Sequence, residues 1–258
     1  MISPATNPDR LTKREKVALN RTRADRIRAG FDSMDQQRKI FIDCSFRSVM
    51  DVSEINSLCL QLQECYCHLR MFGSGIAQML VGSVDEDLKA ALSKQGGDQW
   101  AVHYLPESIE TLMDKLGQDA IFLSPDAVKE LTVAEIQCST NCFIIGGIVD
   151  RKVSRNETSH KAARLGLRCR KLPIDVETCR NKIFNVDTVF MYLLKCFTAV
   201  KLDSREDMVN LLHVTLPDRK IKTHSSIPER SRPSLATKLV TEGSRIKLTR
   251  YSVVELFQ

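Results

Sequence analysis

The sequence predicts an α/β fold, a parallel sheet with helices on both faces. Short apolar runs alternate with amphipathic stretches from residue 39 to residue 200. The longest run, residues 142–149, lacks polar side chains throughout, as suits a strand covered on both sides. Composition bounds the answer: 258 residues, 43% hydrophobic and 27% charged, can bury one core of ordinary size. Wholesale disorder is excluded, and no window holds the ~18 consecutive apolar residues of a membrane-spanning helix.

The first unit is a β-type run at 39–43 followed by a helix over 53–72, with Ile55, Leu58, Leu62, Cys65 and Leu69 on one face. Residues 76–81 form the second strand, 85–93 a helix with Leu88, Ala91 and Leu92 inward, and 100–105 the third strand. Pro106 suits the first turn of a helix running to residue 116. Residues 120–123 form the fourth strand, and Ser124-Pro125-Asp126 has the chemistry of a helix start. The 143–149 run is the fifth strand. A helix at 157–165, a short strand leading to Leu172-Pro173-Ile174 and a long helix over 185–200 complete the pattern. Strand, helix, strand repeated in this way argues for parallel pairing.

Charge divides the chain in three. Residues 1–39 carry ten Lys/Arg against five Asp/Glu, and residues 217–258 carry nine against four, so the remainder is slightly acidic although the whole chain is +6. We therefore expect a basic helical extension at 1–38, a compact domain at 39–216 and a basic flexible tail at 217–258 containing Pro228 and Pro233. Arg14, Arg21, Arg23, Arg26 and Arg28 lie on a stretch without a core-forming stripe, which suits either a solvated helix or an arm following a phosphate backbone. The nine cysteines are odd in number and mostly lie inside hydrophobic segments, so they read as reduced, buried thiols. Cys65, Cys67 and His68 sit one and two apart on a helical pattern and point in different directions, so no metal site is expected there. With no targeting signal evident, nucleus or cytoplasm is the expected location, or the mitochondrion if an upstream presequence is missing.

Ligands of open parallel sheets bind at the carboxyl ends of strands. The segments to inspect are Leu123-Ser124-Pro125-Asp126, Gly146-Gly147-Ile148-Val149-Asp150 and Leu172-Pro173-Ile174. On residue chemistry alone, the glycine pair serves either close ligand approach or a tight turn followed by a surface Asp. Several chemistries are excluded. Gly73-Ser74-Gly75 lacks the third glycine of a dinucleotide loop and precedes a strand, no Gly-Lys-Ser/Thr occurs, and the five histidines have no nucleophile elbow to serve.

The order of these segments resembles a known family. Ile40-Phe41-Ile42-Asp43-Cys44-Ser45, Ile121-Phe122-Leu123-Ser124-Pro125-Asp126, Phe143-Ile144-Ile145-Gly146-Gly147-Ile148-Val149-Asp150, Lys161-Ala162 and Lys171-Leu172-Pro173-Ile174 are similar to the tRNA purine-9 N1-methyltransferases of the SPOUT class. The resemblance covers residues 38–215 and is strongest over 119–194. It implies a C-terminal trefoil knot, a monomer, and S-adenosylmethionine held mainly by backbone of Leu123, Ser124, Gly146, Gly147, Ile148, Val149, Leu172, Pro173 and Ile174. It also implies methylation of N1 of guanosine, or of adenosine, at position 9 of tRNA, with neither membrane nor DNA as partner.

Methyl transfer to guanine N1 requires loss of the N1 proton, for which a carboxylate is a sensible acceptor. Asp150 matches the family's Asp and is the first candidate. Asp187 is the second, at a position where the family more often has Asn; its other reading is a first-turn helix acid. Arg14, Arg21, Arg23, Arg26, Arg28, Lys152, Arg155, Lys161 and Arg164 are the candidate tRNA surface. The sequence departs from the family after Asp150, where Arg151-Lys152-Val153 stand and an Asn appears only at Asn156. That departure leaves room for an alternative, a catalytically inactive tRNA-binding subunit of a processing complex.

Overall fold

The computed structural model describes residues 12–15, 17–18, 21–22, 38–73, 75–116, 119–149, 156–174, 179 and 183–216. The chain divides between residues 221 and 222, and every described residue belongs to the first part. The described residues of the N-terminal stretch from residue 13 onward are helical, and Thr12 and Glu15 cap that start reciprocally.

Six strands, β1 (Arg38–Asp43), β2 (Ala77–Gly82), β3 (His103–Tyr104), β4 (Ala120–Leu123), β5 (Cys142–Gly146) and β6 (Arg168–Arg170), form one sheet in the order β3-β2-β1-β5-β4-β6. All pairings are parallel. Among the described residues from 38 onward, seven α-helices lie between or after them: α1 (Val52–His68), α2 (Glu86–Ser93), α3 (Ile109–Leu116), α4 (Val133–Gln137), α5 (Glu157–Arg164), α6 (Val186–Thr198) and α7 (Arg205–His213). Alternation along the strands decides what each face buries. Ile40, Ile42, Met79, Val81, Ile121, Phe143 and Ile145 pack against α1, α2, α6 and α7. Phe41, Leu80, Phe122 and Ile144 pack in a smaller cluster with Ile109, Leu112 and Ala162 from α3 and α5. Both faces are covered, as the apolar strands require.

Four local expectations are corrected by pairing across the chain. Residues 100–105 yield only the two-residue β3, because Trp100 stacks on Tyr66 at 5.3 Å and the Ala101 amide donates to the Tyr66 hydroxyl. Pro106 does not open α3; the carbonyls of Leu105 and Glu107 accept from Val84 and Ser83, and the helix starts after Ser108. Ser124-Pro125-Asp126 is a turn, and the next helix starts at Val133 behind a reciprocal Thr132–Glu135 cap. The intervening chain is drawn alongside β6, where the Leu131 amide donates to the Lys171 carbonyl at 2.8 Å. The fifth strand ends at Gly146 instead of Val149: the Gly147 amide makes the last bond to β1, at the Asp43 carbonyl 2.8 Å away, and the Val149 amide then turns to Met50 Sδ.

A candidate binding edge at the strand ends

Parallel pairing brings the carboxyl ends of all strands to one edge. Asp43 is in register with Gly146, Ile145 with Leu123, and Leu123 with Arg170. The three segments singled out in the sequence therefore emerge side by side.

Helix α5 ties these ends together. Thr158 and Lys161, three apart and so on one helix face, reach the ends of β4 and β1. Thr158 Oγ1 donates to Ser124 Oγ at 2.8 Å. Lys161 Nζ donates to Asp43 Oδ2 at 2.7 Å and to Ser45 Oγ at 2.6 Å, and lies 3.2 Å from Glu110 Oε1. Asp43 is wholly buried and Lys161 is 5% exposed. The start of α5 is fixed too, since the Asn156 amide donates to Asp126 Oδ2 at 2.9 Å. Burial works against the ionised Glu110 carboxyl, but hydrogen bonds from its own backbone amide and from Ser108, with the Lys161 charge, hold its pKa below the usual carboxylate value.

The Gly146-Gly147 pair serves close packing within the protein. A Cβ on Gly146 would meet Thr158 Cγ2 at 2.5 Å, and one on Gly147 would meet the Asp43 carbonyl oxygen at 2.9 Å and Cys44 Sγ at 3.0 Å. Gly146→Ala is therefore expected to cost about 1–3 kcal/mol in urea unfolding. Thr158→Ser deletes the clashing methyl and keeps the hydroxyl bonded to Ser124, so Gly146→Ala/Thr158→Ser should recover most of that loss. An equally unstable double variant would show that the methyl contact is not the cause.

Beyond the glycines, Ile148, Val149 and Ile174 are half-buried, while Leu123, Ser124, Leu172 and Pro173 are buried. The Val149 amide donates to Met50 Sδ at 3.3 Å. Among the described residues, no hydrogen bond of the fold uses the backbone of Ile148, Leu172 or Ile174. The edge thus presents main-chain donors and acceptors beside aliphatic side chains. Cys44, next to Asp43, is no nucleophile: burial and the neighbouring carboxylate push its thiol well up.

Asp187 lies in the first turn of α6, where its charge helps raise the pKa of the buried Cys65 of α1, after burial itself. Arg14, Arg21 and Arg164 are exposed. Lys161 is not, and its place in the tRNA surface is corrected: its ammonium is consumed by Asp43, Ser45 and Glu110 beneath the surface. Asp150, Arg23, Arg26, Arg28, Lys152 and Arg155 lie outside the described residues. Sequence reasoning missed Asp43, Ser45, Thr158 and Glu110. The available signal was the Thr158/Lys161 spacing, two polar side chains beside the buried Ala162.

Three comparisons bear on this edge. The family model described as tRNA (guanine(9)-N(1))-methyltransferase TRM10/TRM10A matches residues 5–221. A tRNA (guanine(9)-N1)-methyltransferase of Debaryomyces hansenii is 29% identical over 214 residues, covering 78% of this chain and 57% of the relative. The Schizosaccharomyces pombe protein of the same name is 29% identical over 194 residues, covering 72% of this chain and 61% of its own. Human tRNA methyltransferase 10 homolog A is 27% identical over 230 residues, covering 85% and 63%. The chain thus spans less than two thirds of the length of these relatives. Among solved structures, full-length spTrm10 in complex with SAH superposes with a TM-score of 0.58 at 25% identity, covering 69% of this chain and 94% of that one. A dual specific Trm10 from Thermococcus kodakaraensis shares the fold, with a TM-score of 0.54 at 16% identity, covering 69% and 99%. Sequence match and superposition agree, and this chain belongs to the tRNA (guanine(9)-N(1))-methyltransferase TRM10/TRM10A family.

Proposed function

We propose that the chain methylates N1 of guanosine at position 9 of tRNA, with S-adenosylmethionine as methyl donor. The observation that carries this reading is the unengaged backbone of Ile148, Leu172 and Ile174 beside half-buried aliphatic side chains. A nucleoside donor offers an apolar ring face and hydrogen-bonding edges, and that donor set fits both. Topology points to the strand next to this place. Ligands of parallel sheets favour the crevice where strand order reverses. Here the crevice between β1 and β5 is closed by the Gly147–Asp43 bond, the Lys161–Asp43 pair and the Met50–Val149 contact. The neighbouring ends of β5, β4 and β6 remain.

Leu123, Ser124, Gly146–Val149 and Leu172–Ile174 would hold the donor, which when bound supplies an electrophilic methyl on a sulfonium. Asp150, covalently next to Val149, would accept the guanine N1 proton. Asp187 fits the role less well, since its charge acts on Cys65 and the start of a helix. We further propose that the chain after β6 is threaded as a trefoil knot. Lys171 pairs with the segment that follows β4, while the Val186 amide donates to Gln61 Oε1 on α1 at 2.8 Å, so the described residues on either side of this connection are held by different parts of the fold. Arg14, Arg21 and Arg164, with Arg23, Arg26, Arg28, Lys152 and Arg155, are proposed phosphate contacts.

Nucleoside mass spectrometry of a tRNA transcript incubated with protein and S-adenosylmethionine tests the reading. N1-methylguanosine at position 9 is expected, with tRNA affinity falling steeply as salt rises. A chain that binds tRNA but leaves it unmethylated would instead be the inactive subunit.

A further inference from the structure

We propose that Lys161 is a positioning residue for the methyl donor, an inference that rests on the methyltransferase reading above. The ammonium is buried and serves three acceptors from two separate places in the chain: Asp43 at the end of β1 with Ser45, which opens the 3-10 turn after it, and Glu110 in α3. Asp43 in turn is bound on every side. Its Oδ1 accepts from the Ser45 amide at 3.2 Å, its Oδ2 from Lys161, and its carbonyl from the Gly147 amide at 2.8 Å. Lys161 therefore reaches the donor crossing through one residue. It pins Asp43, and Asp43 pins Gly147, from which Ile148 and Val149 continue.

The same helix fixes the second crossing, because Thr158 holds Ser124, and the Ser124 amide donates to the Arg170 carbonyl at 2.9 Å next to the third. Helix α5 thus sets the relative positions of all three segments. A side chain that orders a binding surface spares the ligand the cost of ordering it, so its loss is felt as affinity without loss of any direct contact.

Removing Lys161 alone strands the buried Asp43 carboxylate, so the informative variant is Asp43→Asn/Lys161→Met, which removes both charges. Three measurements are made on wild type and double variant: S-adenosylmethionine affinity by calorimetry, tRNA affinity as a function of salt, and hydrogen exchange at the Gly147 amide. Donor affinity is expected to fall roughly tenfold, within the range that couplings through a network reach, with faster exchange at Gly147. Affinity for tRNA and its salt dependence should not change. Unchanged donor affinity in a folded double variant would overturn the inference and leave the methyltransferase reading intact. Weaker tRNA binding with a shallower salt dependence would overturn it in favour of a phosphate contact. A wild-type chain that binds no S-adenosylmethionine would overturn both together.

Discussion

Lys161→Met is expected to destabilise the protein by about 3–5 kcal/mol, the usual cost of leaving a buried charge without its partner. Asp43 is wholly buried, and among the described residues its side chain is partnered by the Lys161 ammonium, the one charged partner, and by the Ser45 amide. Methionine fills the aliphatic volume of lysine, so the loss reports the charge more than a cavity. The ammonium also lies 5.3 Å from the Phe46 ring centroid, a smaller contribution that the same substitution removes. Urea unfolding of four proteins, wild type, Lys161→Met, Asp43→Asn and the double variant, closes a cycle from which the coupling is read. The double variant should lie much nearer wild type than Lys161→Met does, because no stranded charge remains. Arg164→Ala provides the contrast. That guanidinium is 70% exposed and 3.6 Å from the same Glu110, and its loss should cost about 0.5 kcal/mol or less. If Lys161→Met and Arg164→Ala were equally mild, the buried pair would contribute nothing to the fold.

Lysine 161 also shows where sequence reading stops. Its neighbours in the chain are His160, Ala162, Ala163 and Arg164, a context in which a lysine reads as one more surface cation. What buries it is Asp43, 118 positions away, and no local pattern carries that information. The glycine pair is similar. Its permissiveness is legible, but that the intruding groups are the Thr158 methyl and the Asp43 carbonyl is decided by how α5 and β1 approach β5. Strands were easier to read, because β1 and β5 are buried on both faces and leave uninterrupted apolar runs. One helix start was misplaced. Ser124-Pro125-Asp126 carries cap chemistry, but the helix begins behind Thr132 and Glu135, because Lys171 pairs with the chain between the two. Helix α7, capped by Ser204 and Asp207 with Met208, Val209 and Leu212 inward, was missed by the sequence reading although its cap chemistry is local. It lies beyond the last apolar segment that suggested a strand or a sheet-covering helix. The candidate edge was thus located by strand ends, while the side chains that brace it became visible only through distant pairing.

Asp150→Asn is expected to lower methyl transfer to guanosine by about 10²–10⁴-fold, the usual contribution of a positioned general base. In neutral guanine the N1 lone pair is not available for in-line attack until the proton leaves, and the amide of asparagine cannot take it. Binding should be spared. The segments proposed to hold the donor act through backbone, and the segment containing Asp150 is anchored at both ends by groups the substitution does not touch, Met50 Sδ on Val149 and Asp126 on Asn156. Calorimetry with S-adenosylmethionine and filter binding of tRNA should therefore match wild type. Two controls separate proton removal from general damage. Raising the pH should narrow the deficit, because solvent base increasingly deprotonates guanine N1 without help. A transcript with adenosine at position 9 should be nearly indifferent to the substitution, because adenine N1 carries no proton to remove and any activity toward it bypasses the carboxylate. An Asp150→Asn protein as fast as wild type on guanosine would take Asp150 out of the reaction. Equal losses on guanosine and adenosine at every pH would point to misplacement of the nucleobase, with some other group receiving the proton.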